Sequence, residues 1–157
     1  MNAMAAESTI TDVAEPHGER KALVVDDFSN MRGIIKSLLR QVGFENIDEA
    51  EDGVHALNML KSGQGYCLII SDWSMPNMGG IELLEKVRQD PELKAIPFII
   101  MTEAADKKKI MEAIRAGADN FVIKPFTIEA MKWSIKKITE KKKLYRQAGR
   151  NLLFQDT

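Results

Sequence analysis

Cys67-Leu68-Ile69-Ile70-Ser71-Asp72-Trp73-Ser74-Met75-Pro76-Asn77-Met78-Gly79-Gly80 is an apolar run that delivers one aspartate into a loop built from proline and glycine. Cys67 to Ile70 is continuously apolar rather than alternating and stops at turn residues, which predicts a short strand buried on both faces. Asp72 then stands at the carboxyl end of that strand, where open α/β sheets bind their ligands. An aspartate in this place serves equally well as the cap of the following helix. The neighbouring strands decide between the two readings.

Working outward, Ala22 to Val25 is a second short apolar strand, and it ends at Asp26-Asp27. A helix is expected next, with Ser29 as its cap, Met31, Ile34, Ile35, Leu38 and Leu39 on its apolar face, and Gly43 as its stop. Asn46 to Ala50 reads as a weaker strand. Gly53 to Lys61 reads as a helix with Val54, Leu57, Met59 and Leu60 available for burial. After the Asp72 strand, Ile81, Leu83, Leu84 and Val87 mark a third helix. The strand Phe98 to Met101 ends at Thr102, and a helix with Ile110, Met111, Ala113 and Ile114 follows from about 106 to 117. Phe121 to Ile123 is the last strand and ends at Lys124-Pro125. Thr127 can cap a final helix carrying Ile128, Met131, Ile135 and Ile138. Five strands alternating with five helices predict a doubly wound α/β fold: a parallel sheet covered on both faces, with right-handed crossovers.

The chain has 157 residues, 45% of them hydrophobic, and a formal net charge of −1, which suits one globular domain and excludes bulk affinity for nucleic acid. Charge is uneven along it. Residues 1–19 contain Glu7, Asp12, Glu15 and Glu19 with no lysine or arginine, and predict a flexible acidic leader. Residues 20–140 hold the domain. Residues 141–157 are basic, and predict a helical extension or tail in which Leu144 to Phe154 docks on a partner or a second copy of the chain. The single cysteine, Cys67, lies in the apolar strand as core; no intramolecular disulfide is possible, which suits a reducing compartment. No apolar run reaches the roughly 20 residues that span a bilayer. A cytoplasmic protein without membrane insertion is expected.

Four strand ends therefore carry polar groups: Asp26 and Asp27, Asp72, Thr102, and Lys124. Three carboxylates brought together repel one another, and a hard divalent cation with oxygen ligands is the natural compensation, with Lys124 adding positive charge. Magnesium suits such a site because it takes few carboxylates and keeps positions open for water and phosphate oxygens. A carboxylate beside it can attack phosphorus and form an acyl phosphate.

Val24-Val25-Asp26-Asp27-Phe28-Ser29, Ser71-Asp72-Trp73-Ser74-Met75-Pro76-Asn77-Met78, Met101-Thr102 and Lys124-Pro125-Phe126 together resemble the response-regulator receiver domain, over roughly residues 20 to 140 and most closely its single-domain chemotaxis members. The resemblance implies the flavodoxin-like strand order 2-1-3-4-5 known for that family. It implies that Asp72 is the phosphoacceptor, and that Asp26, Asp27, Asp72 and the backbone carbonyl of Ser74 hold Mg2+. Lys124 would pair with the acceptor or its phosphate, Thr102 and Phe121 would switch together, and Lys124-Pro125 would be a cis peptide. It implies a sensor histidine kinase as donor. Output would pass by protein contact through the fourth helix, fifth strand and last helix, and a flagellar motor-switch protein or a phosphatase is the further partner implied. No DNA partner is expected, and the state expected is a monomer or weak dimer.

Three departures stand out. Phe121 takes the place of a tyrosine common among the chemotaxis members. Glu103 takes the place of a small residue beside the site, where it is expected to face solvent. Ser74 and Ala104 bring no acid or amide to orient a hydrolytic water. An aspartyl-phosphate hydrolase would share the nucleophile and metal, but such enzymes place a second carboxylate two residues on, where this chain has Ser74. A phosphorelay intermediate or a scaffold outside chemotaxis is the remaining alternative.

Overall fold

The structure, a computed structural model, describes residues 20–103 and 106–140. The acidic leader at 1–19, the basic extension at 141–157 and Ala104 lie outside the described residues.

Among the described residues five parallel strands alternate with five helices: β1 (Lys21–Val25), α1 (Ser29–Gln41), β2 (Asn46–Ala50), α2 (Gly53–Lys61), β3 (Leu68–Asp72), α3 (Gly80–Gln89), β4 (Phe98–Thr102), α4 (Lys107–Ala116), β5 (Asn120–Ile123) and α5, helical from 128 to 140. The sheet order is β2-β1-β3-β4-β5, the flavodoxin-like order expected. The register aligns Val25 with Ser71, Asp72 with Met101 and Thr102 with Ile123, so the chemistry-bearing ends of β1, β3, β4 and β5 share one edge.

The continuous apolar runs follow from two-sided burial. Leu23, Val25, Ile69, Phe98 and Ile100 face the layer of α2, α3 and α4. Ala22, Val24, Leu68, Ile70, Ile99 and Met101 face α1 and α5. Each of these side chains is fully buried, and burial of such a residue stabilises by about 1.5–3 kcal/mol. β2 and β5 lie at the sheet edges and are less buried, which accounts for the weaker apolar signal of Asn46 to Ala50.

Several expectations are corrected at the helix surfaces. Ser29 is the first residue of α1 rather than its cap; Phe28 holds the cap position with no side-chain bond. Its own N–H is instead accepted by Asp26 Oδ1 at 2.9 Å, so the acidic pair serves the start of α1. Ile34, Val54, Met111, Ile114 and Ile128 are exposed, while Ala56 and Ala113 are buried. On α2 and α4 the stripe that faces the sheet runs through the alanine, so Val54, Met111 and Ile114 fall outside it. Cys67 precedes β3 and is half-buried, its thiol donating to the Lys21 carbonyl at 3.4 Å. Thr127 does cap α5, accepting from the Ala130 N–H at 3.0 Å.

Gly117 ends α4 with φ +102°, in the left-handed region that glycine adopts without cost. A Cβ there would also press on the Arg88 side chain at 3.0 Å.

Candidate functional site

Asp26 is wholly buried directly after β1. Its N–H donates to Ala50 O at 3.1 Å, Oδ1 accepts from Phe28, and Oδ2 faces Lys124 Nζ at 3.4 Å. Asp27 beside it is exposed. Asp72, the last residue of β3, is buried, and its Oδ1 accepts from the Trp73 N–H at 2.9 Å and lies 3.1 Å from Lys124 Nζ. Carboxylate oxygens of Asp26, Asp27 and Asp72 lie within 4.8 Å of one another. An all-oxygen donor set this close, with one member open to solvent, fits a hard divalent cation that retains water ligands.

The electrostatics follow from this crowding. Burial is the largest influence on Asp72 and pushes its carboxyl above the usual carboxylate range; the Lys124 hydrogen bond pulls it back, and the Asp26 charge pushes it up again. Burial works to lower Lys124, but the hydrogen bond and charge of Asp72, joined by Asp26, outweigh it, so Lys124 is raised and stays an ammonium.

The other expected residues are placed around this centre. Thr102 is buried at the end of β4, and its carbonyl accepts from the Lys124 N–H at 2.7 Å, which ties the β5 end to the β4 end. The Lys124-Pro125 peptide is cis. Ser74 is exposed in the loop after β3, and Glu103 is exposed beside Thr102. Phe121 is half-buried, packs on the core layer of α2 to α4, and lines a cleft of about 570 Å³ with Ile123, Pro125, Phe126 and Trp133.

The loop after β3 is held from two sides. Asn77, with φ +68°, donates through Nδ2 to Asp52 Oδ2 at 2.7 Å, and Gly53 N–H donates to Met78 O at 2.9 Å. Asp52 meanwhile caps α2 through the His55 N–H at 2.8 Å. Gly80 starts α3 directly over Asp72, where a Cβ would run into the Asp72 carbonyl. Lys109, on the first turn of α4, places its ammonium 4.7 Å from the Trp73 ring centroid; of the three consecutive lysines, Lys107 and Lys108 are the exposed pair.

Sequence reasoning did not single out Asp52, Arg32 or Glu49. Asp52 precedes a predicted helix by one residue and was open to being found as a cap. The other two gain meaning only from neighbours distant in the chain. The run Lys107 to Lys109 reads from sequence as the solvated face of a helix, which holds for Lys107 and Lys108 and is corrected for Lys109 by its contact with Trp73.

The chain matches the response regulator receiver domain over residues 22–136. It is 50% identical over 121 residues to the chemotaxis protein CheY of Pseudomonas aeruginosa, covering 77% of this chain and 97% of that one. It is 47% identical over 121 residues to the chemotaxis protein CheY-3 of Vibrio cholerae, covering 77% and 92%. Among solved structures, the chemotaxis response regulator CheY4 of Vibrio cholerae superposes with a TM-score of 0.70 at 29% identity, covering 76% of this chain and 98% of that one. With the sheet order and the acidic strand ends already in place, these matches establish that the chain belongs to the response regulator receiver domain family.

Proposed function

We propose that this protein is a phosphorylation-activated switch of a two-component system that accepts a phosphoryl group on Asp72 from a histidine kinase and signals by protein contact, in chemotaxis. The observation that carries this reading is the convergence of Asp26, Asp27 and Asp72 within 4.8 Å, with Lys124 3.1 Å from the acceptor.

In the transfer, a carboxylate oxygen of Asp72 attacks phosphorus. The bond from phosphorus to the donor imidazole nitrogen breaks, and the nitrogen leaves with the electron pair. Asp26, Asp27, Asp72 and the Ser74 carbonyl would hold Mg2+, which when bound neutralises the negative charge gathering on the phosphoryl oxygens. Lys124 supplies a second cation at the same oxygens, already positioned by Asp26 and Asp72. Trp73 N–H fixes the orientation of the Asp72 carboxylate. Thr102, buried at the neighbouring strand end, is the hydroxyl that would turn toward the new phosphoryl group, with Phe121 moving in concert. Glu103 faces solvent and leaves the reaction intact.

Output through α4, β5 and α5 is supported by the apolar side chains those elements leave exposed: Met111, Ile114, Ile123, Ile128 and Trp133. Chemotaxis is supported by the relatives that carry that description at 47% and 50% identity. A flagellar motor-switch protein is then the expected partner. Among the described residues no helix is long and apolar enough to cross a membrane.

Intact-mass measurement during incubation with Mg2+ and acetyl phosphate tests the reading. A gain of one phosphoryl group that needs Mg2+ and vanishes in Asp72→Asn is expected. No gain with any phosphodonor, although Mg2+ binds, would refute the switch and point to a receiver-like interaction module.

A further inference from the structure

Asp26 is fixed through every group it has. Beyond its bonds to Ala50, Phe28 and Lys124, its backbone carbonyl accepts from Arg32 Nη1 at 2.7 Å. Arg32 lies on the first turns of α1, with its own N–H bonded to Phe28 O at 3.1 Å. Its Nε donates to Glu49 Oε1 at 2.9 Å. Glu49 is a β2 residue in register with Val24, immediately before the Ala50 whose carbonyl receives the Asp26 N–H. The other carboxylate oxygen of Glu49 is held by Lys36 Nζ at 2.7 Å. The Arg32 side chain is 17% exposed and that of Glu49 36%, so the fork is only partly shielded from water, and the short charge-assisted bonds on both Glu49 oxygens hold it in place.

A closed ring results, running from Asp26 through Phe28 to Arg32, across to Glu49 and back through Ala50. Its effect is to hold the peptide between Asp26 and Asp27 between α1 and β2. That peptide sets where both carboxylates point. Arginine suits this place because its planar guanidinium holds separate N–H groups toward two acceptors in a fixed geometry, which a lysine ammonium on a flexible stem does not.

We propose that Arg32, anchored by Glu49, is a positioning residue that aims the Asp26-Asp27 pair at the divalent cation; this rests on the reading that the acidic cluster holds one. Arg32 touches neither the cation nor phosphate. It acts through the backbone, as outer-shell partners of metal ligands do, and loss of such partners typically weakens metal binding about 10–100-fold.

Charge alone gives the opposite sign. Removing a cation near an acidic site strengthens its attraction for Mg2+, whereas loss of aim weakens it. The sign of the change therefore separates positioning from simple electrostatics.

The experiment is calorimetric titration of the full chain with Mg2+ alone, for wild type, Arg32→Met, Glu49→Gln and Lys36→Met, each checked for a folded far-UV spectrum and for its urea midpoint. Arg32→Met is expected to raise the Mg2+ Kd about tenfold, and Glu49→Gln to raise it in the same direction. Lys36→Met, which loses a bond to Glu49 but none to Asp26, is expected to change it less than about twofold. Glu49→Gln also removes a negative charge, which by itself weakens Mg2+ binding. Arg32→Lys, which keeps the charge and loses the planar fork, is therefore titrated beside the others. It is expected to raise the Kd, and it keeps the inference testable should Arg32→Met not fold. An unchanged or tighter Kd in a folded Arg32→Met, Arg32→Lys or Glu49→Gln overturns the inference and leaves the proposed switch standing. Absence of Mg2+ binding by the wild type overturns both.

Discussion

Lys124 Nζ lies 3.1 Å from Asp72 Oδ1 and 3.4 Å from Asp26 Oδ2, so a single ammonium from the end of β5 joins the carboxylates that follow β1 and β3. The contact reaches across four strands of the sheet, from β5 past β4 and β3 to β1, at the edge where their carboxyl ends gather. The same cation that offsets two buried negative charges at rest stands where a phosphoryl group on Asp72 would gather more.

Lys124→Met is accordingly expected to slow phosphorylation of Asp72 by acetyl phosphate about a hundredfold, the loss typical of one preorganised charge-stabilising group. The rate of mass gain at saturating Mg2+ measures it. A rate within twofold of wild type would remove Lys124 from the transfer step.

Asp72 carries a cost at rest. Its carboxyl is raised mainly by burial, so the folded chain binds that proton more tightly than the unfolded chain. Stability from this group therefore falls as pH rises from the ordinary carboxylate range through the raised value, and above it the whole cost of the buried charge is present. Asp72→Asn, which removes the buried charge and leaves Lys124 paired with Asp26, should be more stable than wild type at pH 7.5 in chelator. The gain should shrink as pH approaches about 4. Urea unfolding at the two pH values checks both statements, and a destabilised Asp72→Asn at pH 7.5 contradicts them.

Asp52 has the opposite sign. The His55 N–H and then the Asn77 side chain hold its carboxyl below the usual range, so the unfolded chain binds that proton more tightly. Its contribution is present above the ordinary value and is lost as pH falls through the depressed one. Asp52→Ala should cost about 1 kcal/mol at pH 7 as a lost helix cap, fading as pH drops through about 4 and below. Limited proteolysis should also cut the loop after β3 faster, because Asn77 loses its partner.

Arg88 braces the far side of the molecule. Its guanidinium donates to the carbonyls of Gly117, Lys94 and Ile96 and to Asp119 Oδ2, all at 2.7–2.9 Å. Asp119 Oδ2 also accepts the Phe98 N–H at the start of β4. Arg88→Met should cost about 3 kcal/mol, because it takes the guanidinium away from a largely buried carboxylate and from three carbonyls at once. The urea midpoint reads it. Mg2+ affinity should be unaffected, since the brace lies at the opposite edge of the sheet from Asp72.

What the sequence determined by itself was whatever depends on local patterning. Short continuous apolar runs alternating with helical periodicity specify a parallel sheet covered by helices on both sides, because only strands buried on both faces are apolar at every position. Asp26, Asp27, Asp72, Thr102 and Lys124 were legible because each directly ends or follows such a run, and parallel strands bring all their carboxyl ends to one edge. Tertiary structure decided the rest. Ile34, Val54, Met111, Ile114 and Ile128 have the periodicity of core residues and lie outside it, because the angle at which each helix meets the sheet selects the stripe that is buried. Arg32 and Glu49 are 17 residues apart and belong to different elements. Lys109 reaches Trp73 from the next strand-helix unit. Each of these pairings depends on β1 lying between β2 and β3, or on α4 packing beside the loop after β3. No residue's local preferences encode that proximity; it arises when the apolar faces of five helices compete for the two sides of one sheet.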